Sequence, residues 1–169
     1  MKMNTFKLWI YRMVTAWLPE SRAFAWKRMW LRFAGAKIGK NVRIYSSARF
    51  LGNGRLEIGD DVHIGPEVLI YAVAPAGVTI GSCIDIGPRV TILTGSHEID
   101  PEGAHVAGKG TAAEVTVGDG SWIGACATIL PGVAIAKKTV VAAGAVVTES
   151  VEEEKTLVAG IPAQAKKQY

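Results

Sequence analysis

One short run holds the residues whose types and spacing suit chemistry: Thr94-Gly95-Ser96-His97-Glu98-Ile99-Asp100. An imidazole with a pKa near about 6.5 can take a proton from a hydroxyl at neutral pH, which makes His97 a candidate general base. Asp100, or Glu98, could hold the other ring nitrogen and fix the tautomer. The chain has no Gly-x-Ser-x-Gly and no His-Glu-x-x-His, and neither Cys83 nor Cys126 has a histidine close by in sequence. That leaves direct transfer assisted by a base, not a covalent nucleophile. A zinc hydratase is the competing use of the histidines, and it needs three of them converging on the metal. Its only candidates are His63, His97 and His105, two of them in one irregular stretch, so no metal is expected.

The elements that must position His97 follow from a period of six. From Val115 to Val147, branched aliphatics recur at Val117, Ile123, Ile129, Ile135, Val141 and Val147. Upstream the series runs Ile38, Ile44, Phe50, then Ile58, Ile64, Ile70, then Ile80, Ile86, Ile92. A period of six fits neither an amphipathic helix nor an alternating strand. It fits a chain wound into a triangular coil, with one short strand and one corner per hexad. Small residues after the aliphatics (Gly118, Gly124, Ala136, Ala142) read as tight corners that need permissive backbone angles or a minimal side chain. Fifteen hexads make five coils, a prism roughly 24 Å tall at about 4.8 Å per coil. The groups are separated by insertions of two, four and nineteen residues, and the largest, 94–114, carries His97. Insertions at a fixed corner become loops on one face, often the binding face. After Val147 the pattern ends in a polar exit, a last short strand over Leu157–Pro162, and a basic helix or tail over 163–169.

Charge and aromatics set the start of the chain apart. Residues 1–40 hold nine Lys/Arg against Glu20 alone, a net +8, while the remainder carries −4. A basic head on a mildly acidic body argues against nucleic acid along the body and makes the head an attachment region. Four of the five tryptophans lie there: Trp9, Trp17, Trp26 and Trp30. Residues 1–34 read as two helices separated at Pro19, the second starting at Pro-Glu-Ser, carrying Ala23, Trp26, Trp30 and Phe33 on one face, and stopping at Gly35. These helices either cover the first coil or lie on anionic lipid, and the two uses are compatible. No run of eighteen apolar residues and no signal-peptide pattern is present, which suggests a cytoplasmic protein with peripheral contact at the inner face of a membrane. In such a compartment Cys83 and Cys126, both inside repeats, are expected as buried free thiols.

The residues from about 34 to 164 resemble the hexapeptide-repeat acyltransferases. The likeness is to maltose, galactoside and nodulation-factor O-acetyltransferases and to those of exopolysaccharide and O-antigen clusters. It rests on Thr94–His97, on Val115–Gly132 with Trp122-Ile123-Gly124, and on Ala159-Gly160-Ile161-Pro162-Ala163; the stretch Arg32–Val42 resembles the exopolysaccharide branch. The resemblance implies an all-β, left-handed parallel β-helix over 37–163; the extended loop over 94–114, the N-terminal helical segment over 1–36 and the basic tail over 164–169 are read from the residues themselves, and the long N-terminal segment does not match the short helical one of the maltose group. The resemblance also implies acetyl-CoA as donor, a homotrimer with the site between neighbouring prisms, and His97 as the base. Trp122, Ala125, Ala143, Thr148 and Lys167 match positions around the coenzyme. Maltose-type relatives carry an asparagine in the coil before the loop, where this chain has Gly65, and a second basic residue near the coenzyme becomes Gln164. Glu67, two places after Gly65, and Glu98 are therefore the candidates for acceptor contact. The expected activity is transfer of acetyl to a sugar hydroxyl, the acceptor being a lipid-linked or nucleotide-linked sugar, a soluble sugar, or an amino acid such as serine.

Overall fold

The computed structural model describes residues 2–169. Two helices, α1 (Thr5–Thr15) and α2 (Phe24–Phe33), precede a stack of short strands on three faces. Face one holds Lys37–Ile38, Arg55–Ile58, Gly77–Ile80, Val115–Val117 and Ala134–Ile135, paired in parallel in that order. Face two holds Arg43–Ile44, His63–Ile64, Asp85–Ile86, Trp122–Ile123, Val140–Val141 and Thr156–Gly160, with Ala163–Gln168 added antiparallel at the edge. Face three holds Arg49–Gly52, Leu69–Ala72, Thr91–Leu93, Thr128–Ile129 and Val146–Val147.

The hexad aliphatics point inward and stack on one another. Ile44, Ile64, Ile86, Ile123 and Val141 are in register up face two, and all are buried. Each coil is held to the next by backbone bonds such as Gly65 N–H to the Ile86 carbonyl at 2.9 Å. Five coils are complete, and a partial sixth follows: Val151 pairs with Ile135, and Val158 pairs with Val141. The repeat therefore outlasts Val147. Its last members, Val151 and Val158, follow Val147 at steps of four and seven, so the spacing of six no longer marks them. The expected helix or tail after 162 is instead the strand Ala163–Gln168, bonded back onto Thr156–Gly160.

Of the two reasons a corner can need a small residue, the structure selects the minimal side chain. The small residue after each aliphatic is required by close approach, not by its backbone angle. A Cβ on Gly87 would lie 2.8 Å from the Ala125 nitrogen, and one on Gly118 2.6 Å from the Lys137 nitrogen. The left-handed conformation falls two residues later, at Asn41, Asp61, Cys83 and Lys138 on one corner and at Glu67, Arg89 and Cys126 on the next. Side chains in those places point out of the prism. That is why Cys83 and Cys126 are exposed, against the expectation that they are buried.

The head closes the open end of the prism. Leu8, Tyr11, Leu31 and Ala34 are buried against the first coil. The first coil's carbonyls have no coil beneath them, and arginines take them up. Arg32 donates to the carbonyls of Ile38 and Gly39 at 2.7 and 2.8 Å, and Arg28 to that of Val42 at 2.9 Å. Helix α2 begins at Phe24, later than Pro-Glu-Ser predicts. The segment before it is held as a turn: buried Lys27 donates to the carbonyls of Pro19 and Glu20, at 3.0 and 2.7 Å, and Glu20 accepts from the Ser47 N–H. Burial among apolar groups pushes the Lys27 ammonium below its ordinary pKa, with Glu20 opposing. The aromatic face of α2 is divided: Trp30 packs against the core. Lys27 and Leu31 face the coil, while Trp26 and Phe33 face outward.

Candidate functional site

All three insertions fall at the corner between faces three and one, so each enlarges the same edge. The longest is no structureless loop. Strands Gly95–Ile99 and Ala107–Ala112 form an antiparallel hairpin rooted on buried Thr94. Thr94 Oγ1 accepts from the Val73 N–H at 2.7 Å, and the Thr94 carbonyl accepts from the Ala113 N–H at 2.8 Å. On the far side Arg55 pairs with Glu114 at 2.9 Å. The hairpin thus grows from a fixed base, although its outer residues Ile99 and Val106 are bare.

His97 lies on this hairpin opposite Gly110, and its Nδ1 is 2.9 Å from the Gly108 carbonyl. A carbonyl can only accept, so in the neutral ring the proton sits on Nδ1 and Nε2 keeps its lone pair. The backbone therefore sets the tautomer that a general base needs. Neither expected carboxylate does so: Asp100 Oδ1 accepts from the Gly103 N–H at 3.0 Å and shapes the hairpin turn, and Glu98, the adjacent residue on the strand, is exposed. Around His97 is a groove lined by Tyr71, Val73, Pro75, Ser96 and Thr111. Tyr71 and the Gly108 carbonyl were not singled out from the sequence. The regular register of Tyr71 on face three could have flagged the first; nothing local marks the second.

A second groove runs along face two. Tyr45, His63, Asp85 and Trp122 line it, with Pro66 and Pro88 at its rim. The Tyr45 and His63 rings are 5.4 Å apart. His63 is held below the usual imidazole pKa, first by partial burial and then by Arg43, with Asp85 opposing. Trp122 is exposed here, on a different groove from His97.

The remaining candidates lie at two corners and on the terminal strand of face two. Ala125 and Ala143 stack at the corner between faces two and three, where the Gly144 N–H donates to the Ala125 carbonyl at 2.8 Å. Glu67 is on that same corner, paired with Arg89 at 2.8 Å. Thr148 follows the last strand of face three, at the corner that carries the hairpin two coils earlier. Lys167 lies on the terminal antiparallel strand of face two, with Nζ 4.7 Å above the Tyr169 ring. One chain therefore brings together His97, Tyr71 and the hairpin, and separately Trp122 with the His63 groove. Among the described residues no three His, Cys, Asp or Glu side chains are grouped so as to hold a metal ion.

This arrangement has known relatives. Residues 114–149 match the family model for the bacterial transferase hexapeptide (six repeats). The chain is 32% identical to the "Putative colanic acid biosynthesis acetyltransferase WcaF" of Escherichia coli K12, over 85% of this chain and 76% of that one. It is 29% identical to the galactoside O-acetyltransferase of the same organism, over 75% of this chain and 61% of that one. A hexapeptide-repeat acetyltransferase of Vibrio cholerae, solved with acetyl coenzyme A, superposes with a TM-score of 0.68 at 24% identity, covering 96% of this chain and 85% of that one. The protein belongs to the hexapeptide-repeat acetyltransferase family.

Proposed function

We propose that the protein transfers an acetyl group from acetyl-CoA to a hydroxyl of a sugar in the synthesis of a surface polysaccharide. The observation that carries this is His97, whose ring proton is pinned on Nδ1 by the Gly108 carbonyl while Nε2 is left free. Nε2 takes the acceptor's hydroxyl proton as the oxygen attacks the thioester carbonyl. Backbone N–H groups at a coil corner stabilise the oxyanion, the carbon–sulfur bond breaks, and the proton passes from His97 to the departing thiolate. Trp122, Ala125, Ala143, Thr148 and Lys167 are assigned to the coenzyme, whose pantetheine amides can pair with coil-edge backbone as an added strand does. Glu67 and Glu98 are assigned to the acceptor.

The active unit in this reading is a homotrimer. Two half-sites on different edges of one chain, and a hairpin whose Ile99 and Val106 stand bare, are what a site completed by a neighbouring copy requires. Acetyl-CoA as donor places the reaction in the cytoplasm, and a lipid-carried acceptor suits peripheral contact of residues 1–34 with the membrane. No helix among the described residues is long and apolar enough to cross one.

The test is thiol release from acetyl-CoA with a panel of free, nucleotide-linked and lipid-linked sugars, beside calorimetry with acetyl-CoA and light scattering. Acceptor-dependent release by a trimer is expected. No coenzyme binding, or a monomer at micromolar concentration, sinks the reading; release only with an amino acceptor redirects it to nitrogen.

A further inference from the structure

The capping helices use only part of their surface. Opposite Leu8, Tyr11 and Leu31, α1 carries Phe6, Trp9 and Met13, and the chain just past its end carries Trp17; α2 carries Trp26, Met29 and Phe33. All seven are about half exposed or more, and Trp17 is 87% exposed. Their spacings of three and four make one stripe on each helix. Phe6 stacks on Trp9 with ring centres 5.9 Å apart, and Lys7 Nζ sits 4.4 Å over the Phe33 ring, which joins the two stripes. A contiguous apolar surface of this kind is rarely left open on a protein that functions in water alone.

The charge around this surface has one sign. Arg28 and Arg32 are occupied in closing the first coil, and buried Lys27 in holding the turn before α2. Lys2, Lys7, Arg12 and Arg22 have no carboxylate partner among the described residues. Glu20, the only acid in residues 1–40, is turned away and bonded to Ser47. The outward face is therefore aromatic and cationic.

We propose that the outward face of α1 and α2 docks on an anionic lipid bilayer, with the helices lying in the plane of the interface. Tryptophans settle at the boundary between headgroup and acyl chain, and lysine and arginine pair with lipid phosphates. Helices of 11 and 10 residues are about 16 Å long, half of a hydrocarbon core, so they rest on the bilayer and do not span it. Meeting its own copy, the same face would set Lys7 and Arg12 near their counterparts with no acid to relieve them. Docking in this way holds the first coil at the lipid surface and the His97 hairpin two coils, about 10 Å, above it. Within the activity proposed above, that is where an acceptor carried on a lipid headgroup would be presented; the docking itself does not depend on that activity.

The experiment is co-sedimentation of the full chain with vesicles of phosphatidylcholine alone and of phosphatidylcholine with about one third phosphatidylglycerol, at low and high salt. Anionic vesicles should bind the protein, neutral ones far less, and rising salt should weaken the binding. Lys7→Gln with Arg12→Gln should cost roughly 30-fold in affinity. Trp9→Ser with Trp17→Ser and Trp26→Ser should abolish binding and, being surface changes, leave the melting temperature and thiol release with a soluble acceptor as they were. No binding to anionic vesicles, or binding indifferent to salt and lipid charge, overturns the proposal. So does a tryptophan variant that binds vesicles normally but changes oligomeric state, since the face would then be a contact between copies. Vesicle binding without acetyl transfer overturns the catalytic reading alone; acetyl transfer without vesicle binding overturns the docking alone.

Discussion

Replacing His97 and Asp100 separates two explanations of how the proposed base is oriented. The Gly108 carbonyl holds Nδ1 at 2.9 Å, while Asp100 bonds Gly103 in the turn. Loss of a positioned base costs about 10²–10⁴-fold in rate, about 3–5 kcal/mol of barrier. His97→Ala should fall by that much with acetyl-CoA affinity unchanged. His97→Asn is the sharper variant, because its amide can still donate to Gly108 but offers nothing in the place of Nε2; it should be equally inactive. Asp100→Asn keeps an oxygen for the Gly103 N–H, so at most about 1 kcal/mol is at stake and activity should drop by less than about tenfold. The assay is steady-state thiol release, with calorimetry for the coenzyme. An active His97→Asn enzyme would reduce His97 to a strut of the hairpin. A crippled Asp100→Asn enzyme would return the tautomer to the carboxylate and refute the backbone assignment.

Three further outcomes follow from the same structure. Arg32→Ala strips the carbonyls of Ile38 and Gly39 of a charged donor and should cost about 1.5–3 kcal/mol, read as a lower melting temperature; lysine should restore only part, because one ammonium cannot replace the fork. Ile86→Ala opens a cavity between Ile64 and Ile123 and should cost about 2–5 kcal/mol; an unchanged melting temperature would contradict the inward stack. Because His63 is held below its ordinary pKa, the unfolded chain binds the extra proton first, so stability should fall as pH drops through about 6.5 and level off below the folded value. His63→Gln should flatten that slope in melting curves between about pH 5.5 and 7, where Glu57 and Asp119, held low by Lys37 and by the Ser82 N–H, are ionised in the folded state and largely so in the unfolded one.

The coil was legible in the sequence because a period of six is a local property. Each aliphatic from Ile38 to Val147 meets the residue one coil away, and any break in spacing shows as an insertion, so the stack, its five full coils and the corner bearing His97 could be counted from the chain. His97 itself was legible as a lone imidazole in the largest insertion. What orients it was not, since the Gly108 carbonyl is eleven residues away and reaches Nδ1 only once the hairpin has paired. The outward turn of Cys83 and Cys126 depends on left-handed corners that the residue types do not announce. The facing of α2 depends on the first coil, whose unpaired carbonyls draw Arg28 and Arg32 and whose apolar end takes Leu31, leaving Trp26 and Phe33 outside although the helix alone offers both faces. Patterns set by neighbours along the chain are written in the sequence; contacts chosen by unsatisfied groups on another element are decided when the two meet.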